Sequence, residues 1–417
     1  MHDEALLTTV VIIVMLLFIA ALSAIFVKRI NLPYTVGLVI VGIGLGFATS
    51  ELEFLQPMQE IELSREIILF LILPTLLFDA AINIHSDVLL RNLLPVLVLA
   101  TVGLLVSTAI IGLAMGQLTP LPIAVALLFG ALISATDPVA VIALFRELGV
   151  EVRLSTLVDG ESLFNDATAI VVFNLILGIV LATGSLGEDP VLEAIGSFLL
   201  VFVGGLAVGV ALGVVLMGLL RLAGDDVFVQ IALTSVSAYV AFIVADHFLK
   251  LSGVMAVVGT GVFTAWRARQ VFPDDVRTYI RRYWEYAAFV ANSMIFLLIG
   301  LTEFELFEDL SQSRGNASYV FIAIIVALIA RAIVVYGLTP VSNRVSRGEP
   351  VGRAYQHVMF WGGLRGAIPL ALVLGLPRDF EYRPLLLDLT LGVVLFSLLV
   401  QGTTVNRLLK SLQLGRA

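Results

Sequence analysis

Six ionisable side chains stand inside strongly apolar stretches of this sequence: Asp79, Asp137, Glu161, Asp166, Arg331 and Arg365. A charge near the bilayer centre costs about 2.5 to 3.5 kcal/mol on insertion scales, so each one needs a partner or a function. Four acids face two bases. If Arg331 meets Glu161 and Arg365 meets the backbone around Asp137, no basic group remains for Asp166, and a proton or a cation must answer its charge. The segment Gly160-Glu161-Ser162-Leu163-Phe164-Asn165-Asp166 sets Ser162 and Asp166 four apart on one helical face, with Glu161 and Asn165 likewise neighbours. A carboxylate, a hydroxyl and a loosened carbonyl at Thr136 are hard oxygen donors, suited to a dehydrated alkali cation and not to a soft metal. Proton and cation then compete for one seat, which is the chemistry of exchange.

The elements that must hold these groups carry their own signals. In Ser134-Ala135-Thr136-Asp137-Pro138, proline removes a backbone donor and pushes Asp137 out of helical geometry. Trp361-Gly362-Gly363-Leu364-Arg365-Gly366-Ala367-Ile368-Pro369 sets three glycines and a proline around a charge. Both helices are predicted to break. Irregular backbone at membrane depth is tolerated only where protein or a water-filled cavity receives it, and corresponding breaks in two halves point to a transport site. Asp137 and Arg365 would offset the dipole ends of the half-helices, a scaffolding role.

The whole chain agrees with a membrane setting. Its 417 residues are 59% hydrophobic and 13% charged, with a mean hydropathy of +1.06, which excludes a soluble fold. The absence of cysteine, and only four scattered histidines, exclude disulfides and zinc centres. A net charge of -8 with no basic stripe excludes nucleic acid as a partner. An intramembrane protease would need a Gly-x-Gly-Asp or His-Glu-x-x-His segment or a buried serine–histidine pair, and none is found, so no enzyme activity and no cofactor are expected.

The expected fold is an all-α polytopic membrane protein of about 13 transmembrane helices, each about 20 residues long. The spans run over about 5–27, 33–48, 67–84, 93–115, 121–145, 156–183, 191–220, 227–248, 253–266, 283–301, 318–338, 355–376 and 384–409. The first reads as a retained span, not a signal peptide. Seventeen of the 24 lysines and arginines fall on one side and five on the other, among them Lys28 and Arg416 against Arg65 and Arg314, while Glu51, Glu53, Glu60 and Glu62 gather on the poorer side. That bias puts the N-terminus outside and the C-terminus inside. At an offset of 219 residues, Leu32, Val39, Gly42 and Phe70 fall on Leu251, Val258, Gly261 and Phe289. The offset pairs span 2 with 9 and span 3 with 10, an inverted repeat of spans 1–6 and 8–13 with broken helices at the corresponding spans 5 and 12. Residues 1–417 are expected to form one integral domain. Glycines in 41–47 and 204–218 read as helix-packing surfaces.

At these residues the chain resembles the monovalent cation/proton antiporter superfamily, in its sodium/proton exchanger branch of bacterial NhaP-type proteins and their animal counterparts. The resemblance rests on Leu32-Pro33-Tyr34-Thr35-Val36-Gly37, Leu73-Pro74 through Asp79-Ala80, Thr136-Asp137-Pro138-Val139-Ala140-Val141, Gly160 through Asp166, Ala330-Arg331 and Gly362 through Ala367. It implies that the broken helices at spans 5 and 12 cross, and that the protein is a homodimer in which a six-helix ion-binding core moves like an elevator against the dimer domain; the core would include about 67–183 and 283–409 and the dimer scaffold about 5–48 and 191–266, with no soluble tail. It makes Asp166 the ion- and proton-binding carboxylate, with Ser162 and the Thr136 backbone as Na+ co-ligands. Glu161 would touch the ion through water or steady the site while paired with Arg331. Asn165 stands where the electrogenic branch has a second aspartate, which implies one cation exchanged for one proton. Asp137, Arg331 and Arg365 stabilise the site, and Asp79 and Asp159 are candidate pathway residues. The expected function is a secondary antiporter of the prokaryotic cell membrane. It would exchange Na+ or Li+ for H+ in pH and salt homeostasis, with monovalent cations, protons, lipid and a second copy as partners. A K+/H+ antiporter of the same fold and a cation channel are the alternatives.

Overall fold

The computed structural model describes residues 2–29, 34–51, 67–181, 190–224, 226–312, 316–346 and 348–415. Leu32, Pro33, Glu53, Glu60, Glu62, Arg65, Arg314 and Arg416 lie outside the described residues, and so do the side chains of Lys28 and Glu51. Runs of Leu, Val, Ile and Ala too long to alternate and apolar on every face can only be helices. Helix is accordingly the one regular element among the described residues: α1 (His2–Arg29), α2 (Tyr34–Glu51), α3 (Ile67–Asn83), α4 (Ser86–Arg91), α5 (Leu93–Leu118), α6 (Ile123–Ser134), α7 (Val139–Leu148), α8 (Val152–Leu181), α9 (Pro190–Leu222), α10 (Val227–Phe248), α11 (Gly253–Val271), α12 (Asp274–Gln312), α13 (Asn316–Val345), α14 (Arg353–Trp361), α15 (Ala367–Leu374) and α16 (Arg383–Ser411). Among the described residues, helix overlaps the expected stretches, with interruptions at 135–138 and 362–366. Eight segments among the described residues are by themselves long and apolar enough to cross a membrane, and α1, α2 and α3 hold shorter apolar runs. The span expected at 283–301 lies within a much longer helix, because the charged turns before Tyr283 continue the same helical pattern.

Both expected breaks are present. Helix α6 stops at Ser134 and α7 restarts at Val139; α14 stops at Trp361 and α15 restarts at Ala367. The two breaks lie against each other, since the Asp137 N–H donates to the Leu364 carbonyl at 2.8 Å. Helices α5 and α13 each widen by one π-type turn, at Val98–Gly103 and Val334–Leu338, and these turns also pack together: a Cβ on Gly103 would come within 2.7 Å of Val334. Several other crossings are close-packed at small residues. Gly42 of α2 lies on Gly300 of α12, where a Cβ on either would come within 2.8 Å of the other's Cα. Gly205 and Gly209 of α9 lie on Ser252 and on Ala256 of α11, and Gly261 of α11 on Ala81 of α3. Gly44 and Gly218 face open space, so only part of the small-residue pattern is contact.

Gly300→Ala should therefore lower the thermal unfolding temperature of the purified protein, since overpacking costs about 1–3 kcal/mol. Gly44→Ala on α2 should leave that temperature unchanged or raise it slightly, because its added methyl meets nothing and alanine favours helix.

Candidate functional site

The half-helix ends come first, because they fix everything near them. The last carbonyls of α6 lack helical partners, and the buried Arg365 guanidinium meets them, Nη1 donating to Ser134 O at 2.7 Å and Ala135 O at 2.9 Å. Asp137 serves the opposite polarity: its Oδ1 accepts from the Val139 N–H at 3.0 Å, at the start of α7, and its carboxylate also accepts from the Ala367 N–H, at the start of α15. A side chain at Gly366 would run into that carboxylate, so the close approach requires glycine. Arg365 and Asp137 thus answer helix dipoles of opposite sign without pairing with each other.

The second basic group is matched by an acid. Arg331 on α13 forms a two-pronged pair with Glu161 on α8, Nη2 to Oε2 at 2.8 Å and Nη1 to Oε1, and also donates to Met359 O at 2.8 Å. Both residues are buried, at 6% and 2% exposure. Asp166 is left, with no hydrogen bond or ion pair to any described residue; Asp137 and Glu161 are the charges that bear on it, and both are acids.

Asp166 lines a cavity of about 340 Å³ together with Ser162, Thr136, Asp137, Asp79 and Asp159. Ser162 Oγ donates to the Thr136 carbonyl, which the break has released from helical bonding. The cavity reaches the surface where Arg146 and Glu285 pair at 3.5 Å across its wall, both partly exposed. Asp79, nearer that mouth, accepts from Asn83 Nδ2 at 2.6 Å. Six of the ten residues singled out from the sequence therefore meet in one cavity. Glu161, Asn165, Arg331 and Arg365 lie behind it. The Asn165 Oδ1 is buried without a partner beside Ser107, Ser134 and the two arginines. Glu285 and Asn292 on α12 and Tyr34 on α2 also line the cavity and were not anticipated. Buried Asn292 and Ser293, polar residues within an apolar span, were the available signal; Ser293 holds the Tyr34 hydroxyl at 2.7 Å.

Residues 14–411 match the family described as sodium/hydrogen exchanger, transmembrane. The Na(+)/H(+) antiporter ApNhaP of Aphanothece halophytica is 40% identical over 402 residues, covering 95% of this chain and 73% of that protein. The Na(+)/H(+) antiporter NhaH of Halobacillus aidingensis is 36% identical over 405 residues, covering 96% and 97%. Among solved structures, the sodium proton antiporter MjNhaP1 from Methanocaldococcus jannaschii aligns over 98% of this chain and 100% of that one, with a TM-score of 0.76 at 20% identity, a likeness of fold.

The pairing pattern makes unequal demands on stability. Arg331→Ala strands Glu161 as an unpaired buried charge and should cost about 3–5 kcal/mol. Asp166→Asn removes a charge that has no protein partner and should unfold at or above the wild-type temperature. Thermal unfolding in detergent compares the two directly.

Proposed function

Since this chain belongs to the sodium/hydrogen exchanger family, we propose that it is a membrane antiporter exchanging Na+ for H+, with Asp166 as the seat that the two ions share. The observation that carries this is the unpaired carboxylate: at the crossing, Glu161 and Arg331 pair with each other and Asp137 and Arg365 meet helix ends, whereas Asp166 faces the cavity beside Ser162 and Thr136. Those oxygens are the Na+ ligands. Glu161 and Arg331 brace α8 against α13 from behind, and Asn165 lies on that rear face. Either cargo ion neutralises the carboxylate, whereas the empty deprotonated site carries an uncompensated charge that crosses the bilayer poorly. Exchange follows, one ion for one, with no net charge moved.

The architecture that goes with this reading is thirteen spans in two inverted repeats. Its support is reciprocal packing: α2 crosses α12 while α11 crosses α3, as an exchange of spans 2 with 9 and 3 with 10 requires, and α5 meets α13 through matching widened turns. The moving core is α5–α8 with α13–α16. Helices α3 and α12 are locked by backbone contact to α11 and α2 and stay with the scaffold. With the N-terminus outside, the Arg146–Glu285 mouth opens to the cytoplasm, and Asp79 and Asp159 line the way in. Exposed apolar side chains on α9 and α10, such as Leu200, Val215, Phe228 and Val236, meet lipid or a second copy in the cell membrane.

Proton flux in liposomes with an imposed pH gradient tests this. Na+ should collapse the gradient at a rate insensitive to voltage, and Asp166→Asn should fall to the level of protein-free liposomes. Ser162→Ala should raise the apparent KM for Na+ roughly three- to tenfold with less effect on the maximal rate, as expected for one hydrogen-bonding ligand. Na+ passing without protons would overturn the reading.

A further inference from the structure

A second cavity, of about 380 Å³, lies at the same end of the bundle, among the ends of α3, α9 and α11 and the starts of α10 and α12. Its wall carries Arg269, Arg277, Arg281 and His85, with Asp274 as the acid among them. Two of the arginines are matched: Arg269 Nη1 meets Asp87 Oδ2 at 3.2 Å, and Arg277 meets Asp274. Arg281 has no acid partner among the described residues. The net field stays positive with both acids counted. His85, outside the spans, is held below the ordinary histidine value by partial burial and then by the cations Arg269, Arg146 and Arg281.

Unused hydrogen-bonding groups point into the same space. Thr264 is 1% exposed and its Oγ1 has no partner, whereas Thr260, one turn earlier on α11, gives its proton to Ala256 O at 2.9 Å as helical threonines ordinarily do. The Arg277 Nε is also buried without an acceptor. Buried donors left unpaired inside a polar cavity call for an acceptor, and three guanidinium groups call for one with negative charge and several oxygens.

We propose that this cavity binds a phosphate-bearing anion, gripped by Arg277 and Arg281 with Thr264 donating from its floor. Basic pockets between spans on the cytoplasmic side hold phosphate headgroups of lipids, and a soluble phosphate offers the same chemistry. The seat also adjoins the ion path. Asn83 lines both cavities, its Nδ2 held by Asp79 on one side and its buried Oδ1 without a partner.

Binding to the purified full chain tests the proposal without reference to exchange. Inorganic phosphate, added as its choline salt against choline chloride of equal ionic strength, should raise the unfolding temperature if the source is soluble. Retention of phosphatidic acid over phosphatidylcholine, read by native mass spectrometry, reports a lipid source. Arg281→Gln should weaken whichever probe binds about tenfold, the scale of one charge-assisted contact. Thr264→Val, nearly the same in shape, should weaken it too. Both variants should fold, and in phosphatidylcholine liposomes they should exchange ions like the wild type. If neither probe binds above its control, or if both variants bind as the wild type does, there is no such site.

Discussion

A broken helix inside a membrane exposes carbonyls at one end and amides at the other, and water is not there to receive them. Here each polarity is answered by one side chain reaching across from or to the other break: Arg365 closes the carbonyl end of α6, and Asp137 closes the amide ends of α7 and α15. The Asp137–Leu364 backbone bond then fixes the distance between the strands of the crossing. Everything else near the site is arranged around that closure. Gly366 is glycine because a carboxylate fills the space where its side chain would be.

The closure also decides what is left over. With Arg365 used on carbonyls and Arg331 on Glu161, no arginine at the crossing pairs with Asp166, and Arg146, the cation in the cavity lining, pairs with Glu285. An arginine freed from either pairing would be a cation available to Asp166. Selective emptiness at one carboxylate is therefore a property of the surrounding pairs more than of Asp166 itself.

Much of this was legible in the sequence for simple reasons. Helices that must lie in lipid have to be apolar over about 20 residues, so their positions follow from hydropathy. Pro138, Gly362, Gly363 and Gly366 mark the breaks because no uninterrupted helix tolerates them together. Counting four acids against two bases shows that the arginines must be matched, but the choice of Glu161 for Arg331 comes from the family resemblance. The rear position of Asn165 was harder to see. One residue along a helix turns the side chain by about 100°, and which way α8 faces is set by its neighbours, not by its own pattern. The grouping of α3 and α12 with α11 and α2 was likewise hidden, since Gly42 and Gly300, or Ala81 and Gly261, are far apart in the chain and nothing local says that they touch.

Ser397 has a role that concerns time more than energy. It lies in the widened turn of α16, where its Oγ accepts from the Arg365 N–H at 2.9 Å and can return its proton to the Arg365 carbonyl at 3.1 Å. One hydroxyl thus substitutes for the peptide partners that the break took from Arg365. It comes from a residue 32 positions later in the chain. During synthesis, the break at 362–366 emerges before the group that satisfies it, so the crossing is unfinished until α16 docks. Assembly of the crossing therefore waits on α16, and a chain halted before it would carry the residues of the candidate site without the geometry that brings them together.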